Sequence, residues 1–337
     1  MKIIVDAFGG DYAPDEIIKG CALAVRNHDV DIVLIGDAEK IKSVVADQQI
    51  SFYRMKIKDV KDVITMDDDP MSIAKEKLHC TMAEGLRALV DGEGDAFVSA
   101  GNSGALAVGA TLIVKRIKGI RRIAFAPILP KDEGHFMLID SGANMECRPE
   151  MLKQFGVMGS AYMSKVMKVK SPRVGLANVG TESHKGGELQ KKAYELLSKA
   201  PVNFVGNVEA RDIPVDAADV VVADGFTGNM ILKTYEGVAK ELLSKIKSIF
   251  LKNIKTKVSA LMLKSDFIEL KKTIDYNELG GAPLLGALKP IFKIHGNAKA
   301  KAVNGAIGLT KKYVERRVID DIQLDLKEMK EGNNNAK

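Results

Sequence analysis

The chain has 337 residues, 46% hydrophobic and 28% charged, with 30 glycines, no tryptophan and three cysteines, which excludes a disordered chain and a disulfide-built scaffold. Its formal charge of +6 lies in one place. Residues 240–272 carry nine lysines and three acids, while the rest balances 41 basic against 41 acidic residues, which argues against a general nucleic-acid surface.

The first residues, a short apolar run ended by Asp6, match neither a signal nor a transit peptide. Further apolar runs at residues 31–35, 96–99, 123–129, 136–139, 173–177, 203–205 and 220–223 read, with 3–5, as strands. Helical patterns lie near residues 15–27, 38–46, 72–90, 103–116, 150–168, 187–199 and 228–272. Strands that are apolar throughout are buried on both faces, which predicts an α/β fold with a mostly parallel sheet flanked by helices. We expect one catalytic unit over residues 1–331, with 228–272 as a long amphipathic helical hairpin and 332–337 as a disordered tail. No uninterrupted apolar stretch reaches membrane-spanning length. Cys21, Cys80 and Cys147 lack CxxC spacing and fit reduced thiols in the cytosol.

The loops that leave these runs are more informative. Asp6 opens Ala7-Phe8-Gly9-Gly10-Asp11, and Ser99 opens Ala100-Gly101-Asn102-Ser103-Gly104. Asp140 opens Ser141-Gly142-Ala143-Asn144, Asn178 opens Val179-Gly180-Thr181-Glu182, and Asp224 opens Gly225-Phe226-Thr227-Gly228-Asn229. Strand ends in open α/β sheets are where ligands collect, and helix N-termini there offer N–H groups to anions. Gly, Asn and Asp are also ordinary turn and cap residues. One such loop says little; five together point to a shared site.

Standard fingerprints are missing. No glycine is followed by lysine, so there is no Walker A motif, and residues 101–104 match neither GxGxxG nor GxSxG. The five histidines are scattered without HxxxH spacing, so neither a metal nor a cofactor is expected. Cys147, beside Arg148, reads as a packed small residue. An anion cradle remains, best placed at Gly101, Asn102, Ser103 and Gly104, with Lys185 and His184 adding a cation and a titratable group.

These loops, together with Gly280-Gly281-Ala282-Pro283-Leu284-Leu285-Gly286, closely resemble the PlsX family, in order from residue 1 to about 315. The resemblance implies a bacterial phosphate acyltransferase of phospholipid synthesis. Such an enzyme converts acyl-acyl carrier protein and inorganic phosphate to acyl-phosphate. It also implies an α/β homodimer similar in fold to phosphotransacetylase and to the isocitrate and isopropylmalate dehydrogenases. Phe8 replaces the family's usual Met. Asn297-Ala298-Lys299, after His295-Gly296, departs from its usual serine-containing continuation, so that loop receives less weight.

For phosphate attacking a thioester, the protein must offset anion repulsion, align the reactants and stabilise an oxyanion. We expect residues 101–104 to bind phosphate, Lys185 to neutralise charge and Asn229 to donate to the carbonyl oxygen. His184 is a candidate proton donor to the leaving thiol. Asp6, Asp140, Asn144 and Asp224 are expected to support these groups.

The basic segment, residues 240–272, reads either as a dimer-packing helix pair with a solvated lysine face or as an interfacial element. Val258, Leu261, Met262 and Leu263 form an apolar tip near a turn, flanked by Lys255, Lys257 and Lys264. Its expected partner is an anionic membrane surface, where the product passes to a membrane-bound acyltransferase, and the protein is then cytoplasmic and peripherally bound. The same lysines also suit acidic acyl carrier protein. Competing readings are a dehydrogenase of similar fold, which lacks its dinucleotide and metal fingerprints here, and a non-catalytic membrane scaffold.

Overall fold

The computed structural model describes residues 1–267, 270 and 280–334. Two sheets divide the strands. The first contains β1 (Lys2–Asp6), β2 (Asp31–Gly36), β3 (Met55–Asp59), β4 (Ala96–Ser99) and β5 (Ala124–Phe125). The second contains β6 (Ile128–Pro130), β7 (His135–Ile139), β8 (Arg173–Asn178), β9 (Asn203–Glu209) and β10 (Val220–Val222). The chain then returns to the first sheet with β11 (Ala282–Leu285) and β12 (Ile291–Lys293). The orders are β3-β2-β1-β4-β12-β11-β5 and β6-β7-β10-β8-β9. Pairing is parallel except at β11–β12, β11–β5 and β6–β7.

The mostly parallel α/β arrangement is therefore present, spread over two sheets. The run 123–129, expected as one strand, is two strands in different sheets. Pro127 has no N–H for a ladder, and the corner it makes hands the chain from β5 to β6. The apolar-run reading also passes over β3, whose Lys56 and Lys58 suit a sheet edge, and the short β11 and β12.

The first-sheet helices are α1 (Asp15–His28), α2 (Ala38–Asp47), α3 (Thr81–Val90) and α4 (Ser103–Gly109). Next come α5 (Pro149–Lys165), α6 (Glu188–Leu197), α7 (Gly225–Leu251) and α8 (Ile254–Met262). The chain closes with α9 (Ala300–Glu315) and α10 (Val318–Asn334), both missed by the pattern reading. The expected helix 72–90 is broken into a 3-10 turn at Pro70–Ala74 and α3. One buried cluster joins Ile3, Val98 and Phe292 of the first sheet to Met137, Ile139 and Val222 of the second, through Phe155 and Tyr162 of α5. Each such side chain contributes about 1.5–3 kcal/mol by leaving water, so the two sheets form one packed body.

The long helical region divides early. Asn253 accepts the Thr256 N–H at 3.0 Å while Thr256 Oγ1 accepts the Asn253 N–H at 3.0 Å, a reciprocal cap that starts α8. The turn therefore falls at Lys252–Asn253, and Val258, Leu261 and Met262 lie on α8 itself, with Leu263 just beyond. Residues 268, 269, 271–279 and 335–337 lie outside the described residues, and with them the end of the expected hairpin and of the expected tail. α10 extends through Asn334. Among the described residues no helix is long and apolar enough to cross a membrane.

Candidate active site

Strand order explains which loops meet. β1, β4 and β12 are neighbours and run parallel, so the loops leaving their C-terminal ends lie side by side. Asp11 N–H donates to Gly296 O at 2.8 Å and joins the first of these loops to the third. Opposite them, β7 and β10 are adjacent in the second sheet and deliver residues 140–145 and the start of α7.

On the first-sheet side, hydrogen bonds already occupy much of the expected cradle. Ser99 Oγ donates to Asp6 Oδ2 at 2.8 Å and accepts the Gly101 N–H at 3.0 Å. Asp6 is buried, which raises its pKa against the lowering by its Ser99 bond. Asn102 caps α4 by accepting the Ala105 N–H at 3.1 Å, and its amide donates to Thr65 O at 3.1 Å and Asp68 O at 3.2 Å. The Gly101 N–H and the Asn102 side chain, expected on phosphate, are thus committed to holding the turn. Gly104 is packed against Pro70, whose Cγ lies 2.6 Å from where a Cβ would stand. Ser103 faces the cleft, and the first N–H groups of α4 have no carbonyl within the helix to bond.

The second-sheet side is equally knit. Buried Asp140 accepts N–H groups of Phe125 at 2.9 Å, Ala143 at 3.2 Å and Asn144 at 2.7 Å, and the Asn144 amide at 2.9 Å. Burial still pushes its pKa up. Asp224 caps α7 by accepting the Thr227 N–H at 2.9 Å and hydroxyl at 2.8 Å. Asp6, Asp140, Asn144 and Asp224 are all loop-fixing groups behind the cleft wall.

Between the two walls lies a cleft of about 330 Å³. Its polar lining includes Ser103, Ser141, Asn229, Lys233, Lys293 and His295. Phe125, Ile128, Leu129, Met145 and Leu232 give it an apolar side. Lys293 is buried in β12, with its ammonium donating to Ala100 O at 3.0 Å and to Ile294 O. Desolvation pushes its pKa down to about 8, against the pull of Asp6 and Asp11. Lys233 Nζ bonds Glu236 Oε2 at 2.9 Å, and Glu236 Oε1 lies 3.0 Å from His295 Nε2. The Glu236 pKa is lowered: its burial raises it, but His295 and Lys233 together outweigh that.

This lysine gives a pH test with two opposite signs. Above pH 8 the native Lys293 loses its charge, so cleft affinity for inorganic phosphate is expected to fall by up to about tenfold per pH unit. The unfolded chain keeps that proton up to its ordinary pKa of 10.5, so the same group makes the fold more stable as pH rises from 8 to 10.5. Titration calorimetry from pH 7 to 10 checks the first. A flat affinity profile removes Lys293 from the anion site.

Lys185 and His184 are not in the cleft. Their loop follows β8, which lies beyond β10 from the meeting of the sheets, and both side chains are exposed. Asn178 Nδ2 donates to Lys185 O at 3.2 Å and holds that loop on its own strand end. The cations that do line the cleft are Lys233 and Lys293. Their signals were a lysine one turn after Asn229 and a lysine inside the apolar run Ile291–Ile294. Cys147 is inert, with burial pushing its thiol up to about 12. Among the described residues no three His, Cys, Asp or Glu side chains cluster to hold a metal ion.

Comparisons with known proteins agree along nearly the whole chain. The family described as "Fatty acid synthesis protein" matches residues 1–321. A phosphate acyltransferase of Alkaliphilus oremlandii is 44% identical over 322 residues, 96% of each chain. Among solved structures, a phosphotransacetylase from Streptococcus pyogenes aligns with TM-score 0.65 at 16% identity, over 94% of each chain. A putative 4-hydroxythreonine-4-phosphate dehydrogenase from Salmonella typhimurium aligns with TM-score 0.52 at 12% identity, over 93% of this chain and 98% of its own. These two structures share the fold.

Proposed function

The chain belongs to the fatty acid synthesis protein family, the PlsX family of the motif resemblance, and is an enzyme; from that premise we propose that it transfers an acyl group from acyl-acyl carrier protein to inorganic phosphate. The observation that carries the reading is a small cleft whose lining combines two lysines and several neutral donors with a set of apolar side chains. That mixture suits a phosphate and an acyl group bound together.

A large share of inorganic phosphate is already dianionic near neutral pH, its second ionisation lying roughly one unit above the ~6 of phosphate esters, so no strong base is needed to activate it. Lys293 and Lys233 offset its charge, and Ser103 with the first N–H groups of α4 orient it. A phosphate oxygen attacks the thioester carbon, and the Asn229 amide donates to the oxygen as negative charge develops there. The C–S bond then breaks and the electron pair leaves with sulfur. His295, with Nε2 3.0 Å from Glu236 Oε1, is the side chain we assign to hand a proton to that thiolate.

Hydroxylamine trapping tests the reaction. Protein, long-chain acyl-acyl carrier protein and phosphate are expected to yield acyl-hydroxamate faster than the direct reaction of hydroxylamine with the thioester, the excess disappearing when phosphate is omitted. Turnover of NAD without acyl-phosphate formation favours the dehydrogenase reading and rejects this one.

Two associations belong to the same proposal. Val258, Leu261, Met262 and Leu263 are exposed beside exposed Lys255, Lys257 and Lys264, which supports peripheral contact with anionic lipid at about 1 kcal/mol per lysine. Co-sedimentation with anionic vesicles at low salt is the expected result; protein left in the supernatant counts against it. Exposed Met230, Val238 and Leu242 of α7, with Ile213 and Pro214, form an apolar groove of about 510 Å³ that supports a homodimer. A monomeric mass in sedimentation equilibrium rejects that dimer.

A further inference from the structure

The loop Lys115-Arg116-Ile117-Lys118-Gly119-Ile120-Arg121-Arg122 places five cations in eight residues with no acid. It lies in the part of the chain whose total charge is zero, so the sum conceals it. Ile117 and Ile120 are buried and anchor the loop, while all five cations are exposed. The backbone is held from two neighbouring elements. Ile117 N–H donates to Gly286 O and Leu288 N–H to Lys115 O, each at 2.9 Å. The Gln154 side chain accepts the Arg121 N–H at 2.9 Å and donates to Gly119 O at 2.8 Å. Lys115 has φ 71° and ψ 175°, a conformation that costs a non-glycine residue about 1–3 kcal/mol and persists only where the surroundings enforce it. The cations are therefore presented by a fixed loop.

Arg148 joins them from the start of α5. With Arg116, Arg121 and Arg122 it lines an open pocket of about 480 Å³. Glu146 and Glu150 flank Arg148 in sequence, yet none of the four arginines forms an ion pair among the described residues. The two loops that carry the pocket run on into the wall of the candidate cleft. Arg122 stands just before Phe125 and Arg148 just after Met145, both in the cleft wall, and Asn144 Nδ2 bonds Ile123 O at 2.7 Å between them.

We propose that this arginine pocket is the docking site for the acidic protein that carries the acyl thioester, seating it beside the cleft mouth. Exposed guanidinium groups spread over an open surface suit several separated carboxylates on a folded partner. A single phosphate ester calls instead for cations converging on free backbone N–H groups. The proposal rests on the acyl-carrier reading above, and it frees Lys255, Lys257 and Lys264 for lipid.

The test is the double variant Arg121→Glu/Arg122→Glu, assayed with acyl-acyl carrier protein, acyl-coenzyme A and the minimal thioester acyl-pantetheine. The KM for the carrier is expected to rise by about tenfold or more, and its dependence on ionic strength to flatten. The kcat/KM for acyl-pantetheine is expected to stay within about twofold of wild type. An unchanged carrier KM, a rise confined to acyl-coenzyme A, or an equal loss with acyl-pantetheine overturns the docking site. Wild-type enzyme that is inactive with the carrier but turns over another thioester overturns the acyl-carrier reading instead.

Discussion

Replacing Asn229 by Ala is expected to lower kcat by about 10²–10³-fold, the range for removing one oxyanion donor in acyl transfer, while leaving KM for phosphate within a few-fold. The split follows from position. Asn229 lies in the first turns of α7, held by the Asp224 cap, beside Gly142 on the same cleft wall: a Cβ on that glycine would sit 3.7 Å from Asn229 Oδ1. Gly142 has φ 133°, so no side chain fills the gap between them. In the proposed reaction the amide meets the acyl carbonyl while Lys233 and Lys293 attract the anion, so truncating it removes an interaction that strengthens only as charge develops. Steady-state kinetics with both substrates varied decides the matter. A rise in KM for phosphate at unchanged kcat assigns Asn229 to ground-state binding.

Gly228→Ala is expected to be the most disruptive small substitution in the site. A Cβ there would stand 1.8 Å from Asp140 O, and the obstacle is backbone that Asp140 itself braces with four hydrogen bonds. Neither partner is the flexible end of a side chain, so α7 must move away. The expected loss is about 3 kcal/mol of stability, at the upper end for overpacking. Because Asn229 is the next residue, a shift of about 1 Å also costs about 10²-fold in kcat. Gly237→Ala supplies the contrast on the same helix: nothing lies within 4 Å of its Cβ, and it is expected to stabilise by about 0.5–1 kcal/mol. Denaturant unfolding of both variants checks the pair. Equal midpoints for Gly228→Ala and wild type contradict the contact.

How far the sequence led differs between fold and site. Long apolar strands such as residues 31–35 and 173–177 announced themselves, because burial on both faces leaves an unmistakable run. β11 and β12 did not, since strands of three or four residues with Pro283 and Lys293 inside them carry no period. The loops were legible as a group, but their chemistry was not. Asn102 looks like a ligand in one dimension and proves to be a cap, because its amide reaches the carbonyls of residues 65–68, remote in sequence. Lys185 looked like the site cation because its loop has the right composition. Which loops meet is decided by strand order, and β10 stands between β8 and the first sheet. Lys293 and His295 enter because β12 returns to lie beside β4, a pairing that nothing local to either strand encodes.

That return has a consequence for synthesis. The first sheet lacks its β12 neighbour until residues 291–293 are made, long after β4 is complete at Ser99, and the whole second sheet is translated in between. At about 5–20 residues per second, β4 waits roughly 10–40 s with one edge unpaired. During that interval Ala96-Phe97-Val98 is a short, uncharged strand open to any neighbouring chain. The candidate cleft, which needs both sheets and the late strand, closes last, so a nascent or truncated chain ending before residue 291 is expected to be an aggregation hazard rather than a partial enzyme.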